Sequence, residues 1–438
     1  MLDLSYNPIL HIEEGAFANL RNLVYLFFVE VYLPSIEPDI ISNLSSLTTV
    51  SASDNRLCCL LSDQENVTCA RTSPKSPLET CGRLYPSVVL GAFGWIIGFT
   101  ALVGNINVLV LRLRQDRNIN VQTLLIINLA VADCLMGVYM IFITSADIHF
   151  GETFFLSAPW WRDSILCKVA SVLAFISSEL SVLTLTLITL ERLICILFPF
   201  GKYRFDLKVT RVLLVALWII VFMVGLVPFL LDSHLSGIYG LSDVCLGLPL
   251  HVDSGETGIL RFERELPWSE EFVVVYDVIS SDSRPSWIYS VVIFIGLNMV
   301  LFIVILVCYI SMFIAVQRSA RSVGNSKMRG RDITVARKMA FIVLTNFACW
   351  MPIIIMGILT QTGLVVLPSS LYAWTVIFIL PINSSINPLL YTFLNSQVRR
   401  RKRKGGMSLL PSISRNIDVK GVNVSHIHTD NSTGETRA

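Results

Sequence analysis

Seven long apolar stretches dominate the hydropathy pattern after the first 85 residues of the chain. A membrane-spanning helix needs about 20 mostly apolar residues, and each stretch is long enough. They cover residues 86–111, 121–145, 166–197, 209–231, 287–316, 335–361 and 371–394. Short polar connections join them, except for a long one between the fourth and the fifth. The pattern predicts an all-α membrane protein with a seven-transmembrane helix bundle over residues 86–394.

Residues 1–57 follow a different pattern, which repeats every 24 residues. The recurring positions are Leu2, Leu26 and Val50, then Leu4, Phe28 and Ala52, then Asn7, Val31 and Asn55. A period of roughly 20–29 residues is typical of leucine-rich repeats, in which each unit stacks on its neighbours. The segment therefore predicts a leucine-rich-repeat ectodomain, an α/β solenoid. Because two and a half units cannot bury a core alone, we expect a truncated array.

Residues 58–85 carry the cysteines Cys58, Cys59, Cys69 and Cys81 directly after the repeats. Four cysteines in this position indicate a disulfide-bonded cap or hinge. They allow three pairings, and the sequence does not choose between them.

Composition and charge agree with a membrane protein and orient it. The chain is 53% hydrophobic and 15% charged, whereas soluble domains carry roughly 25% charged residues. Basic residues concentrate in the connections after the first, third and fifth stretches and in the run Arg399–Lys404. The positive-inside rule places these in the cytoplasm, with residues 395–438 as a cytoplasmic tail. This predicts a multi-pass plasma-membrane protein with an extracellular N-terminus.

The N-terminal segment adds two expectations. Asn43 and Asn66 begin glycosylation sequons on the side placed outside. No secretory signal opens the chain, so we expect a fragment, a missing upstream part, or a first span that serves as its own insertion signal.

Short motifs lie on six of the seven predicted helices. They are Gly104-Asn105, Asn128-Leu-Ala-Val-Ala-Asp133, Glu191-Arg192-Leu193, Trp218, Cys349-Trp350-Met351-Pro352 and Asn387-Pro388-Leu389-Leu390-Tyr391. Together, over residues 86–400, they resemble the rhodopsin-like family of G protein-coupled receptors. The resemblance implies a receptor that couples to heterotrimeric G proteins and to arrestin inside the cell.

The resemblance also implies roles for the polar residues of the bundle. Asp133, Ser181, Asn383 and Asn387 would hold an allosteric sodium ion, the only cofactor expected. The alternative is a polar core that only holds the helices together. Glu179, close to Ser181 in sequence, is either a protonated, hydrogen-bonded carboxyl or part of a ligand pocket.

A conformational switch is expected at the cytoplasmic side. Arg192 would pair with Glu191 and with Asp332 in the resting state, and release would admit a G protein. The alternative is an arginine that merely extends to the membrane interface. Pro352 and Pro388 predict helix kinks, with Trp350 as a toggle beneath the ligand pocket and Tyr391 completing the switch. Cys167 and Cys245 would form the disulfide that fixes the outer loop.

Leucine-rich repeats joined to such a bundle resemble the relaxin receptor branch. The stretches that carry this are Glu191–Phe200, Tyr239–Cys245, Tyr289–Phe294 and Asn346–Trp350. The branch implies a peptide hormone of the relaxin and insulin-like class, the stimulatory G protein and cyclic AMP. Glu191 and Leu193 depart from the aspartate and tyrosine usual in the family. The alternatives are an orphan repeat receptor for another protein ligand and a truncated form that does not signal.

Other classes of function find little support. The sequence shows no nucleophile motif, metal-ligand cluster or phosphate loop, so we expect no enzyme, and no partner that is a nucleic acid. Membrane lipid is an expected partner, because residues 395–404 could form a basic helix on the anionic leaflet. The acidic outer loop, residues 232–284, either steers a basic ligand or is simply solvated.

Overall fold

The structure is a computed structural model, and it describes most of the chain up to residue 389. The described residues are 1–31, 33, 35–41, 44–62, 64, 66–71, 81–115, 119–198, 205–230, 243–246, 257–264, 272–279, 289, 291–322, 344–345, 347–359, 362, 371, 374–379 and 381–389. Asn43, Asp332, Tyr391 and the tail over residues 395–438 lie outside them.

The N-terminal segment is a solenoid built on a four-stranded parallel sheet. Its strands are β1 (Leu2–Asp3), β2 (Tyr25–Phe28), β3 (Thr49–Ala52) and β4 (Thr68–Arg71), in that spatial order. Leu2 lies opposite Leu26, and Leu26 lies opposite Val50. The register thus steps by the 24 residues of the sequence repeat, and the repeating apolar side chains stack into one buried core.

The cap closes this solenoid with two disulfides, Cys58–Cys69 and Cys59–Cys81. The short helix α1 (Asn55–Leu60) carries the first cysteine of each pair, and the Asp54 side chain caps its first turn by accepting a hydrogen bond from the Arg56 amide. Strand β4 adds to the sheet beside β3, with Cys69 opposite Val50. Of the three pairings that the sequence allowed, the structure therefore forms the one that covers the end of the repeat core.

Long apolar helices follow the cap. They are α2 (Val88–Gln115), α3 (Val121–Phe150), α5 (Ile165–Leu197), α6 (Leu207–Leu230) and α7 (Asn298–Ser322), with a short α4 (Phe154–Asp163) between α3 and α5. Among the described residues, five helices are long and apolar enough to cross a membrane. The shorter helices α8 (Phe347–Leu359) and α9 (Ile377–Leu389) lie within the sixth and seventh predicted stretches.

The structure differs from the sequence expectation in three places. Helix α3 continues to Phe150, beyond the predicted end at Ser145, and α4 was not predicted. A π-helical turn, Val291–Leu297, precedes α7. The connection predicted as a long loop contains the antiparallel strands β5 (Thr257–Arg264) and β6 (Phe272–Ile279).

Glycines bring α2 and α3 together. A Cβ atom added at Gly137 of α3 would lie 2.6 Å from the backbone nitrogen of Leu102 on α2, and one at Gly98 would lie 3.0 Å from Ile141. Side chains larger than hydrogen would force the backbones apart, as expected where small residues mediate helix packing in membranes. This contact fixes α3, which carries Asp133 and several other polar residues described below.

Candidate functional site

One buried carboxylate joins three helices at the centre of the bundle. Asp133 of α3 is fully buried. Its Oδ1 accepts hydrogen bonds from the hydroxyls of Ser181 on α5, at 3.1 Å, and Ser384 on α9, at 2.9 Å. Its Oδ2 accepts a bond of 2.8 Å from the Asn387 amide. We call these four residues the central polar cluster.

The cluster contains three of the four residues expected from the sequence. Asn383 is buried on α9, but the hydrogen bonds of the described residues do not join it to Asp133. Ser384 takes that place, because one residue along a helix turns the side chain by about 100°. Asn105 of α2 donates to the Ser384 carbonyl at 3.0 Å, which brings a fourth helix to the cluster. A serine in an apolar helix carries no signal that could have singled out Ser384.

The chemistry of the oxygen atoms in the central polar cluster is compatible with a small monovalent cation. Two hydroxyls lie within hydrogen-bond distance of one oxygen of the Asp133 carboxylate, and oxygen ligands of this kind suit hard cations. The described residues hold no group of three or more His, Cys, Asp or Glu side chains that could bind a metal ion. One carboxylate supplies a single negative charge, which matches sodium better than a divalent ion.

A second polar group lies on the same helix. Asn128 of α3 donates to the Thr184 hydroxyl on α5 at 2.7 Å and accepts from the Trp218 indole on α6 at 2.7 Å. Both functions of the Asn128 amide are thereby satisfied. These bonds give the Trp218 motif residue a structural role in holding α6 against α3 and α5.

Glu179 and Asn298 form a buried pair that is only partly satisfied. Glu179 of α5 is 1% exposed and Asn298 of α7 is fully buried. The Asn298 amide donates to Glu179 Oε1 at 3.1 Å and to the Phe294 carbonyl at 3.3 Å. Glu179 Oε2 and Asn298 Oδ1 have no hydrogen-bond partner in the described part of the chain. The pair lies where the π-helical turn passes into α7.

Glu179→Gln is expected to raise the thermal stability of the purified protein, and Glu179→Ala to lower it. A glutamine amide can donate to Asn298 Oδ1 while its oxygen still accepts from Nδ2, so both unpaired acceptors are relieved. Alanine removes the Glu179 acceptor of the buried Asn298 amide. A buried polar group left without its partner destabilises the folded state by about 1–3 kcal/mol. Melting temperatures in detergent, compared with those of the exposed control Glu152→Gln, measure this. Equal melting temperatures for the two Glu179 variants would contradict it.

The basic motif residue of α5 is paired with its neighbour. Arg192 Nε lies 2.7 Å from Glu191 Oε2, and the Cys195 thiol donates to Glu191 Oε1 at 3.4 Å. The expected second partner, Asp332, lies outside the described residues. Of the two partners expected for Arg192, the described residues thus include only Glu191, and the switch stays a prediction.

Aromatic and proline residues of α8 and α9 pack against neighbouring helices. Trp350 is buried, and its ring centroid lies 6.1 Å from that of Phe302 on α7. Pro352 follows within α8. On α9, Pro388 contacts α2 so closely that a Cβ atom at Gly104 would lie 2.9 Å from its ring. The Gly104 motif residue is thus explained by the approach of Pro388.

A disulfide fixes the outer connection to the bundle. Cys167 at the start of α5 is bonded to Cys245. The Tyr139 hydroxyl donates to the Val244 carbonyl at 2.8 Å, and the Trp161 indole donates to the Asp243 carbonyl at 2.8 Å. Val244 and Cys245 are buried as a result. This segment is part of the bundle core rather than a free loop.

The cap is joined to α3 by a set of contacts that we call the hinge latch: Arg83, Tyr85, Thr144 and Asp147. Asp147 is buried and accepts from the Arg83 guanidinium and from the Tyr85 amide, both at 3.0 Å. The Tyr85 and Thr144 hydroxyls are 3.1 Å apart, and burial raises the pKa of the Tyr85 phenol. A Cβ atom at Gly94 of α2 would lie 2.6 Å from Thr144 Oγ1, so glycine is needed there.

Arg56 makes a second connection between the solenoid and the bundle. Its buried side chain forms an ion pair with Asp54 at 2.7 Å and donates to the Leu33 carbonyl. It also donates to the Leu156 carbonyl of α4 at 3.2 Å, and the Leu156 side chain packs against the repeat core. Sequence reasoning missed this contact and the hinge latch, because neither follows a periodic pattern. Of the two sequons, Asn66 is exposed, and Asn43 lies outside the described residues.

Comparison with known proteins agrees with this architecture. Residues 104–257 and 270–391 match the family model of the seven-transmembrane receptors of the rhodopsin family, and residues 1–57 match that of the leucine-rich repeat. The chain is 36% identical to the G-protein coupled receptor GRL101 of Lymnaea stagnalis, over 85% of this chain and 30% of that protein.

Two relaxin receptors are also similar. Identity is 36% to relaxin receptor 1 of Mus musculus, over 72% of this chain and 38% of that receptor. It is 33% to relaxin receptor 2 of Homo sapiens, over 69% of this chain and 37% of that receptor. The chain thus spans about a third of the length of these relatives.

Proposed function

The chain belongs to the rhodopsin family of seven-transmembrane receptors, which are G protein-coupled receptors and not enzymes, and on this premise we propose that it transmits a peptide-hormone signal. The hormone is of the relaxin and insulin-like class. The receptor couples to the stimulatory G protein and raises cyclic AMP. Similarity to two relaxin receptors supports the ligand class.

The observation that carries the proposal is that one helix holds both the hinge latch and the central polar cluster. Asp147 and Asp133 lie on α3, 14 residues and therefore about 21 Å apart along its axis. The disulfide Cys59–Cys81 ends two residues before Arg83. A movement of the extracellular repeats would therefore displace α3 and, with it, Asp133 at the centre of the membrane.

In the resting receptor, we place the N-terminus outside and the tail in the cytoplasm. Asp133, Ser181, Ser384 and Asn387, with Asn383 nearby, would hold a sodium ion, whose charge would neutralise that of Asp133. Displacement of α3 weakens this cluster and frees α9 beside Pro388. Two states of the same packed bundle, biased by hormone, are sufficient for such a switch.

The cytoplasmic end then responds. Arg192 pairs with Glu191 in the structure, and we propose Asp332 as its partner on the sixth span. When that pair breaks, the sixth span bends at Pro352 beneath Trp350 and opens a site for the G protein, and later for arrestin. Tyr391, on the seventh span, completes the set of residues that form the active state.

Cyclic AMP in cells that express this chain tests the switch. Asp332→Ala is expected to raise basal cyclic AMP, because it releases Arg192, and Arg192→Ala is expected to abolish the response to relaxin. The matched control is Asp206→Ala, an exposed carboxylate before α6. Surface expression must be equal for all variants. Unchanged cyclic AMP in every variant would contradict stimulatory coupling.

A second candidate is a repeat receptor for another protein ligand. The observation in its favour is that similarity to GRL101 covers 85% of this chain, more than the 72% covered by relaxin receptor 1. Basal signalling that depends on Asp332 and Arg192, together with no response to relaxin or insulin-like peptides, would favour it.

A further inference from the structure

Two neighbouring helices depart from regular α-helical geometry, and one side chain joins the two departures. Pro228 lies in the last turn of α6, and proline has no backbone N–H to donate to the carbonyl four residues earlier, that of Val224. In the fifth span, the π-helical turn Val291–Leu297 precedes α7. The Tyr289 hydroxyl, two residues before that turn, donates to the Val224 carbonyl at 2.7 Å. We call Val224, Pro228 and Tyr289 the proline clasp.

The Tyr289 hydroxyl supplies the hydrogen bond that Pro228 cannot make. Pro228 is buried and Val224 is half-buried, and a buried carbonyl without a donor destabilises the fold. In a membrane bundle, a neighbouring helix can satisfy a backbone group that proline has released. Tyr289 thus bonds the carbonyl that an uninterrupted α-helix would have used internally.

Aromatic packing holds Tyr289 in this position. Its ring stacks on that of Phe175 of α5, with 6.4 Å between the centroids and 29° between the planes. Phe175 lies so close to α6 that a Cβ atom at Gly225 would be 2.9 Å from its ring. It also meets Phe294 of the π-helical turn edge-on, at 5.8 Å. The Phe175 ring therefore contacts both irregular segments and keeps the Tyr289 hydroxyl beside α6.

The π-helical turn determines the direction in which Tyr289 projects. Such a turn holds one residue more than an α-helical turn, so the residues before it are rotated by about 100° relative to a continuous α-helix. Asn298 directly follows the turn and donates to the Phe294 carbonyl and to Glu179 of α5. With the turn in place, Tyr289 reaches α6 while Asn298 reaches α5. A regular α-helix that kept the Asn298 contacts would carry Tyr289 away from α6.

We propose that the proline clasp is a two-state device that sets the helical register of the fifth span. In the closed state, which the structure shows, the Tyr289 hydroxyl bonds Val224 and the π-helical turn is retained. In the open state the hydroxyl leaves Val224, and the turn relaxes into α-helix and rotates the segment before it relative to α7. A pull on the chain that connects α6 to Tyr289 is thereby converted into a change at the Glu179–Asn298 pair inside the bundle.

Two general observations support a device at this place. Turns of the π-helical kind are rare and occur mostly at functional sites, and two packings that differ in a single contact are easily biased by an external force. The clasp needs neither hormone nor G protein, so it stands apart from the proposed function.

Hydrogen exchange of the purified full chain, arranged as a double-mutant cycle, tests the clasp. Tyr289→Phe removes only the hydroxyl and leaves the Val224 carbonyl unsatisfied, so peptides covering residues 219–227 should exchange about 5- to 150-fold faster. Pro228→Ala restores an N–H for that carbonyl. In this background the acceleration caused by Tyr289→Phe should be smaller by about fivefold or more.

The register of the fifth span has its own signal in the same experiment. Peptides covering residues 291–297 should exchange faster after Tyr289→Phe in both backgrounds, because Pro228→Ala repairs α6 without returning the hydroxyl to the fifth span. Tyr139→Phe is the matched control, since the Tyr139 hydroxyl also donates to a backbone carbonyl, that of Val244 outside α6, at 2.8 Å. Its effect on either set of peptides should not depend on Pro228.

Three results would overturn the proposal. Equal acceleration of the 219–227 peptides in both backgrounds would show that Tyr289 does not serve the carbonyl released by Pro228. Unchanged exchange of the 291–297 peptides would show that the clasp does not hold the π-helical turn. No effect of Tyr289→Phe on either set would show that water satisfies the Val224 carbonyl in place of the hydroxyl.

Discussion

Asp133→Ala is expected to cause the largest loss of stability of any single change in the bundle. The substitution leaves the donors of Ser181, Ser384 and Asn387 without their acceptor. Each buried unsatisfied group costs about 1–3 kcal/mol, so the loss should reach several kcal/mol, close to the whole stability of many domains. We expect little receptor at the cell surface, and a lower melting temperature for the fraction that can be purified.

Asp133→Asn separates packing from charge. Asparagine retains one acceptor oxygen of similar shape, so its destabilisation should be much smaller than that of alanine. It lacks the negative charge, however, and should lose any stabilisation that sodium gives over choline at equal ionic strength. The comparison is made by measuring melting temperature as a function of sodium concentration. The Asn383→Ala variant, which changes a neighbouring residue on α9, is measured alongside. Sodium dependence that persists in Asp133→Asn would show that the cation binds elsewhere.

Asp147→Ala is expected to open the hinge latch. It removes the acceptor of the buried Tyr85 amide and the nearer of the two carboxylates that pair with Arg83. The unsatisfied amide alone costs about 1–3 kcal/mol, which is roughly 5- to 150-fold in the local opening equilibrium. Hydrogen exchange in peptides that cover residues 82–90 should accelerate by that factor, whereas peptides from α5 should be unchanged.

Two variants divide the contributions within the latch. Asp147→Asn keeps an oxygen for the Tyr85 amide and should exchange only slightly faster. Arg83→Ala should also have a small effect, because the Arg83 side chain is 29% exposed and such ion pairs contribute about 0–1 kcal/mol. An effect of Arg83→Ala as large as that of Asp147→Ala would contradict this division. If the latch transmits the hormone signal, Asp147→Ala should also reduce stimulated cyclic AMP more than basal cyclic AMP.

Hydropathy and periodicity were sufficient to predict the architecture. The lengths of the apolar stretches predicted the spans, because a helix needs about 20 mostly apolar residues to cross the lipid core. The 24-residue period predicted the register of Leu2, Leu26 and Val50 because stacked repeats place equivalent side chains on one face. Asp133 could be singled out because a carboxylate within an apolar helix is energetically costly and therefore usually marks a functional site.

Contacts between segments could not be predicted in the same way. Ser384, rather than the expected Asn383, bonds Asp133 because of the rotation of α9 about its axis. Apolar periodicity does not specify that rotation within a uniformly apolar stretch. The disulfide pairing of the cap depends on where β4 joins the sheet. Arg83 and Asp147 are 64 residues apart, and each is an ordinary charged residue until the cap is placed on α3. Asp332 and Tyr391 remain predictions.

The central polar cluster also has a consequence for biogenesis. Asp133 enters the membrane early, but its partners Ser384 and Asn387 follow 251 and 254 residues later. At a synthesis rate of about 5–20 residues per second, the carboxylate waits roughly 13–50 s for them. Until α9 has been synthesised, the Asp133 carboxylate therefore lacks two of its three side-chain hydrogen-bond donors.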